Sequence, residues 1–339
     1  MTSVLQALNR GLHAAFQDSR VYLLGEDVLD PYGGAFKVSQ GLSTAYPERV
    51  WTSPVSEAGL AGVAAGMALR GLRPVVEIMF GDFSTLIADQ MINSISKFGS
   101  MYGGAVQVPL VVRTPMGGRR GYGPTHSQTL EKLFLGVPGL RTLAANALSD
   151  PGELLRQAIL EDDGPVFFIE NKLLYLQPVL TAEDLQDFEM ELHTPPGAYA
   201  TTHTLRLKGA PAPALTLTAY GYMAELARQA QLRLAFEHEV FCELVVPTQL
   251  APLAAGGALD AALAASLSKS GRLLAIEEGS YTLGWGAEVL ARAAQALPGR
   301  LKTAARLAAA DAPIPASRPL EEAALPDVED ILATAQKMV

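Results

Sequence analysis

Apolar residues fall along this chain in two alternating patterns. Short, mainly apolar runs at residues 21–24, 73–80, 108–115, 140–143 and 165–170 read as strands buried on both faces, because none shows a regular alternation of polar with apolar positions. Between them lie helix-like stretches: one from Glu57 to Gly71, one through Gln90, and one from Pro151 to Glu161. The pattern resumes later, with strands at 215–221, 241–246 and 272–276 and helices at 224–236 and 285–294. Such alternation indicates βαβ units, so the expected fold is α/β, with two open parallel-type sheets flanked by helices. Residues 181–213 break the pattern: Glu183, Asp184, Asp187, Glu189 and Glu191 cluster there, followed by Pro195-Pro196-Gly197 and Gly209-Ala210-Pro211-Ala212-Pro213. The expected organisation is a first domain over 1–185, a linker over 186–213 and a second domain over 214–339.

Composition narrows the function. A chain of 339 residues with 49% apolar and 18% charged residues can build two large cores. A net charge of −9 argues against nucleic acid as the main partner. No apolar run approaches the roughly 18–20 residues that span a bilayer, so no membrane role is expected. The first ten residues read as an amphipathic helix without a signal-peptide core. The single cysteine, Cys242, reads as a small core residue beside Phe241 and Leu244. These features fit a reducing cytoplasm. Five scattered histidines and one cysteine give no zinc spacing, and there is no Walker A motif or serine-hydrolase elbow. The glycines at 33–34 and 117–123 do not sit between a strand and a helix start, which disfavours a nicotinamide-binding enzyme.

The stretch from Ser53 to Gly71 carries the first chemistry. Glu57 is its only acid, opening a run of Gly, Ala, Val, Leu and Met, with Ser56 placed as N-cap and Gly71 as C-terminal stop. Small residues allow a flat ring or another backbone to approach closely. A lone carboxylate at the edge of such a surface suits proton exchange at neutral pH, although a first-turn acid facing the helix dipole has the same sequence signature. Downstream, Gly81-Asp82-Phe83-Ser84 follows a strand, and a Gly-rich loop ends in Thr125-His126-Ser127-Gln128.

The ordered series Gly25-Glu26-Asp27-Val28, Tyr32-Gly33-Gly34-Ala35-Phe36, Ser56-Glu57-Ala58-Gly59, Asp89-Gln90-Met91-Ile92-Asn93, His126-Ser127-Gln128, Pro138-Gly139-Leu140, Glu277-Glu278-Gly279 and Ala312-Pro313-Ile314-Pro315 covers almost the whole chain. It resembles the beta subunit of the decarboxylating first component of 2-oxo acid dehydrogenase complexes, of the pyruvate, branched-chain and acetoin types, a family related to transketolase. The resemblance implies a transketolase-like pyrimidine-binding domain followed by a transketolase C-terminal domain. It implies thiamine diphosphate shared with an alpha subunit, which carries the magnesium, and a 2-oxo acid substrate. It also implies a lipoyl-bearing acyltransferase as partner and an assembly of two alpha and two beta chains. This sequence has no Gly-Asp-Gly motif of the kind the alpha chain uses to hold the diphosphate, so it is expected to be half of an active site.

Further roles follow from the same resemblance. Glu57 matches the glutamate on the pyrimidine ring nitrogen, which sets up removal of the thiazolium proton. Phe83 matches the residue stacked on the pyrimidine, and Met79 a neighbouring pocket residue. Leu86 stands where pyruvate-type members have glutamine. His126 matches the histidine that positions the substrate and assists acyl transfer; imidazole suits that task because it exchanges protons near neutrality. Arg119, Arg120 and Tyr122 differ from the family pattern and are candidates for an acidic substrate group, for a partner's acidic face, or for a solvated loop. A potassium ion behind the site would be held by the backbone carbonyls of Leu110, Ile159 and Asp162, with Gly164 replacing a usual asparagine. Alternative readings are a transketolase-like or acyloin-forming enzyme subunit of a biosynthetic pathway, and a non-catalytic scaffold that binds partner chains.

Overall fold

Unbroken runs of Val, Ile, Leu and Phe leave a strand no solvent-facing side, and in this chain they pair in parallel with helices above and below. A computed structural model describes residues 2–339. The chain divides into two units, one of residues up to 117 together with 125–179, the other of residues 118–124 together with 180–339.

The first unit contains α1 (Val4–Ala15), β1 (Val21–Gly25), α2 (Leu42–Ala45), β2 (Val50–Thr52), α3 (Glu57–Leu69), β3 (Arg73–Glu77), α4 (Phe98–Met101), β4 (Val111–Met116), β5 (Arg141–Ala144), α5 (Pro151–Glu161) and β6 (Val166–Asn171). Its strands stand in the order β5-β6-β4-β3-β1-β2, every pair parallel. Helix α1 starts at a Ser3/Gln6 capping box and crosses α5 at backbone contact, where a Cβ on Gly152 would lie 1.9 Å from the carbonyl oxygen of Ala7. Helix α3 ends as its sequence predicts: Gly71 takes φ +86°, a conformation costly for any residue with a Cβ. Ser56 is its N-cap residue, but its side chain makes no capping bond. In place of one helix through Gln90, the chain forms a 3₁₀ helix over Gly81–Ile87 and a π-helix over Gln90–Ile95.

The second unit contains β7 (Phe188–His193), β8 (Thr202–Leu207), β9 (Leu215–Ala219), α6 (Gly221–His238), β10 (Cys242–Pro247), β11 (Gln249–Ala251), α7 (Ala258–Ser270), β12 (Arg272–Ser280), α8 (Trp285–Ala296), β13 (Thr303–Ala309), α9 (Arg318–Ala324) and α10 (Val328–Met338). Its main sheet runs β13-β12-β9-β10-β8-β7. The expected linker over 186–213 is therefore corrected: it supplies β7 and β8, which pair antiparallel at the edge of this sheet. Its acids mislead because β7 is an edge strand with Glu189 and Glu191 exposed, and charge on an edge blocks further strand addition. Cys242 is buried in β10, and burial pushes its thiol up to about 12, as befits an inert core residue. No helix among the described residues is long and apolar enough to cross a membrane.

The first core contains an ion cluster. Arg113 on β4 lies in register with Glu77 on β3 and bonds it. Through Nε and Nη2 it also donates to both carboxylate oxygens of Glu170 on β6, at 2.7 and 2.5 Å. The Tyr175 hydroxyl adds a bond to Glu170 at 2.6 Å. All four residues are buried. Burial raises the carboxyl of Glu77 in spite of the guanidinium beside it. Arg113→Leu leaves two carboxylates without their cation and should cost about 3–5 kcal/mol of stability, read from urea unfolding; a change near zero would refute this account of the cluster.

A second polar anchor closes the loop before β2. Asp30 accepts from Gly41 N (2.7 Å), Ser43 Oγ (2.8 Å), Thr44 N (2.9 Å) and Thr44 Oγ1 (2.7 Å). Burial alone would raise its carboxyl, but these bonds outweigh burial and hold it at about 2, against 3.8 for a free aspartate. A carboxyl depressed by folding stabilises fully above its unfolded value and loses that stabilisation as pH falls through the folded one. Unfolding free energies of wild type and Asp30→Ala should thus differ most near neutrality and converge as pH falls towards about 2.

Candidate functional site

Glu57 is the first residue of α3 and is 6% exposed. A second carboxylate, Glu26, follows β1 and is 4% exposed; its Oε1 accepts from Ser56 N at 2.8 Å. This bond satisfies the Ser56 amide at the start of the helix. Burial raises the carboxyl of Glu26, and the neighbouring charges of Glu57 and Asp27 raise it further against the pull of the Ser56 amide. A buried carboxyl raised in this way, bonded to the residue before Glu57, is a feature of functional sites as well as of cores. The sequence offered Glu26 only as part of a motif, because nothing local shows that residue 26 meets residue 57.

Helix α3 packs on the 3₁₀ turn that carries Phe83. There an aromatic cluster forms. The His126 ring stands edge-on to Phe80 (centroids 4.8 Å apart, 81°) and to Phe83 (5.2 Å, 77°), and Phe36 contacts Phe80 at 5.5 Å and Tyr175 at 5.4 Å. Thr125 Oγ1 lies 2.9 Å from His126 Nδ1. Lys172 Nζ donates to the His126 carbonyl at 2.5 Å and sits 5.2 Å from the Phe80 ring centroid. Asp82 Oδ1 accepts from Gln128 Nε2 (2.8 Å) and Gln128 N (3.3 Å), tying the segment after His126 to the turn before Phe83. His126 and Phe83 are half-exposed, as are Phe80 and Phe36, while Lys172 and Tyr175 behind them are buried.

The remaining expected residues separate. Met79 is half-buried just after β3, next to Phe80. Leu86 is 55% exposed on the outer side of the turn. Arg119, Arg120 and Tyr122 fold with the second unit. There Glu321 on α9 accepts from Arg119 N at 2.7 Å and from Gly121 N at 3.0 Å, and Glu278 accepts from Gly118 N at 2.7 Å. The Arg119 guanidinium bonds the carbonyl of Pro326, so it is engaged within its own unit. Arg120 lies 5.8 Å from the Tyr122 ring and is exposed.

The potassium site does not fit. Arg73 Nη1 donates to the carbonyls of Ile159 (3.0 Å) and Asp162 (2.7 Å), while the Leu110 carbonyl accepts from Val166 N at 2.8 Å within the sheet. Among the described residues no cluster of three or more His, Cys, Asp or Glu side chains stands ready for a metal.

One face of α3 adds a constraint. Its sequence is apolar all round, yet Gly59, Gly62, Val63 and Gly66 are exposed, as is Val55 before it. A helix apolar on every side belongs in an interior.

The profile described as "Transketolase, pyrimidine binding domain" matches residues 3–177, and that described as "Transketolase, C-terminal domain" matches residues 206–331. The chain is 37% identical to the mitochondrial pyruvate dehydrogenase E1 component subunit beta-2 of Oryza sativa subsp. japonica, over 99% of this chain and 85% of the relative. It is 31% identical to the acetoin:2,6-dichlorophenolindophenol oxidoreductase subunit beta of Cupriavidus necator, over 99% of this chain and 96% of the relative. Among solved structures, a split-gene transketolase, an inactive beta4 tetramer, aligns with TM-score 0.73 at 19% identity, over 100% of this chain and 98% of that one, a likeness of fold.

The Glu321 carboxylate is the main fastening of residues 119–121. Glu321→Ala should speed amide exchange at Arg119 and Gly121 by about tenfold, equivalent to about 1.4 kcal/mol of lost bonding, with exchange in β12 unchanged. Unaltered exchange in the loop would show that the carboxylate does not hold it.

Proposed function

The chain belongs to the family of transketolase-type pyrimidine-binding subunits that includes the pyruvate dehydrogenase E1 beta subunits, and from that premise we propose that it is the beta subunit of a thiamine-diphosphate-dependent 2-oxo acid dehydrogenase. The 2-oxo acid loses carbon dioxide, and its acyl group passes to a lipoyl disulfide, which opens to a thioester and a thiol. The carrying observation is the buried pair Glu57 and Glu26 at the start of a helix that packs on the turn bearing Phe83, whose ring meets His126.

When bound, thiamine diphosphate supplies an acidic thiazolium carbon and an electron sink. The residues present fit its pyrimidine end. Phe83, with Met79 beside it, offers an apolar surface for a flat ring, and the small residues of α3 permit close approach. Glu57 holds a proton at a ring nitrogen, with Glu26 as its buried neighbour. His126, fixed through Thr125, Lys172 and the two phenylalanine rings, presents an imidazole for a substrate carboxylate and for proton delivery during acyl transfer. The diphosphate and its magnesium fall to an alpha chain, since this sequence lacks the Gly-Asp-Gly motif. The exposed apolar face of α3 supports a partner chain at that helix. Two alpha and two beta chains, with a lipoyl-bearing acyltransferase as acceptor, complete the proposed assembly in the cytoplasm.

The similarity to an acetoin oxidoreductase subunit keeps acetoin among the substrates to test. The test is co-expression with an alpha chain, then a panel of 2-oxo acids and acetoin with a dye as electron acceptor. Turnover of one substrate, dependent on both chains and on added thiamine diphosphate, is expected; no turnover across the panel would sink the proposal. Glu57→Gln should fold normally and reduce turnover by about 10²–10⁴-fold. Near-normal rates in that variant would remove Glu57 from the chemistry.

A further inference from the structure

Arg73 opens β3 and is 8% exposed, with its side chain turned toward the end of α5. Its Nη1 donates to two carbonyls at once, Ile159 at 3.0 Å and Asp162 at 2.7 Å, and its Nη2 reaches the Asp163 carboxylate at 3.1 Å. The Asp162 side chain is paired with Arg141 at 3.1 Å, and Val108 N donates to the Asp163 carbonyl at 3.1 Å. The turn from α5 to β6 thus gathers backbone oxygens around a single positive group. These are the same oxygens that the family resemblance assigns to a potassium ion. The third of that set, on Leu110, is committed to the sheet through Val166 N.

We infer that in this chain the Arg73 guanidinium takes the place of the monovalent cation, so that the α5–β6 turn is held by a covalently attached charge and folding needs no potassium. The physical grounds are the geometry of the guanidinium, its charge, and the engagement of the remaining carbonyl. A guanidinium carries a permanent charge and directs its N–H groups at carbonyl oxygens, and here one nitrogen serves two of them. A potassium ion on the same two carbonyls would face that charge at close range in a mostly buried setting, where repulsion is weakly screened. The third expected carbonyl, on Leu110, is already taken by Val166 N at 2.8 Å, so an ion would find no complete set of oxygens here.

Thermal unfolding of the full chain tests this without turnover, so its outcome is independent of the proposed reaction. Melting is compared in equal concentrations of potassium, sodium and choline chloride. A specific ion present at about a hundred times its dissociation constant would raise the midpoint by several degrees. Wild type should melt within about one degree in all three salts. Arg73→Met keeps much of the stem but loses the charge; it should melt lower than wild type and regain several degrees in potassium over choline, because the carbonyls are then released. Specific stabilisation of wild type by potassium overturns the inference, as does an Arg73→Met chain indifferent to the salt. If Arg73→Met does not fold, the wild-type comparison decides alone.

Discussion

A guanidinium sealed between two carboxylates sets the geometry on which the candidate site rests. Arg113 binds Glu77 and Glu170 in the interior of the first sheet, joining β3, β4 and β6 below the level of the aromatic cluster. Buried charges of this kind are poor sources of net stability but strict about geometry, because a displaced partner leaves an unpaired charge in a medium that cannot solvate it. Glu77 passes the constraint on. It packs so closely on Gly34 that a Cβ there would lie 2.2 Å from its Oε1. The segment so fixed carries Phe36, which leans on Phe80, which in turn supports His126. Tyr175 closes the circuit, bonded to Glu170 and in ring contact with Phe36. A charge cluster in the core and an imidazole at the rim are therefore parts of one packed assembly.

Above that support the chain presents acids and rings rather than a finished pocket. Glu57 is buried and so is Glu26, which bonds the residue before it; Phe83 and His126 are half-exposed, and one face of α3 is apolar and open. Removing two carboxylates from water costs free energy that folding of this chain alone does not explain. A ligand that shares a proton with one of them, and a partner that covers the apolar helix, would offset that cost. The same economy of charge appears at the end of α5, where Arg73 supplies from within the chain what an ion would otherwise bring.

Much of this was legible in the sequence. The double-buried strands and the α/β class follow from mainly apolar, non-alternating runs, and Glu57, Phe83 and His126 stand in recognisable local settings. The acidic stretch over 186–213 was not legible, because an edge strand and a linker both carry exposed charge; only its pairing with β8 and β10 separates them. Helix α7 escaped notice for a related reason: its Ala and Ser are too uniform to mark a buried stripe, and its burial is set by the strands beneath it. The helix expected through Gln90 instead forms as tight and wide turns, and the tight turn before it brings Phe83 and Asp82 to the His126 segment.

The sequence by itself determined which residues are available: the composition of the cores, the strand order of chemistry along the chain, the lone acid at the start of α3 and the histidine in its loop. Those properties depend on residue type and on neighbours within a few positions. Only the tertiary structure decided which distant groups meet. Glu26 comes to lie against Ser56, Arg73 takes two carbonyls at the end of α5, and Arg119 is turned to Pro326. Each of these is a contact between residues tens to hundreds of positions apart, selected because a buried charge or amide must find a partner and the fold offers it one.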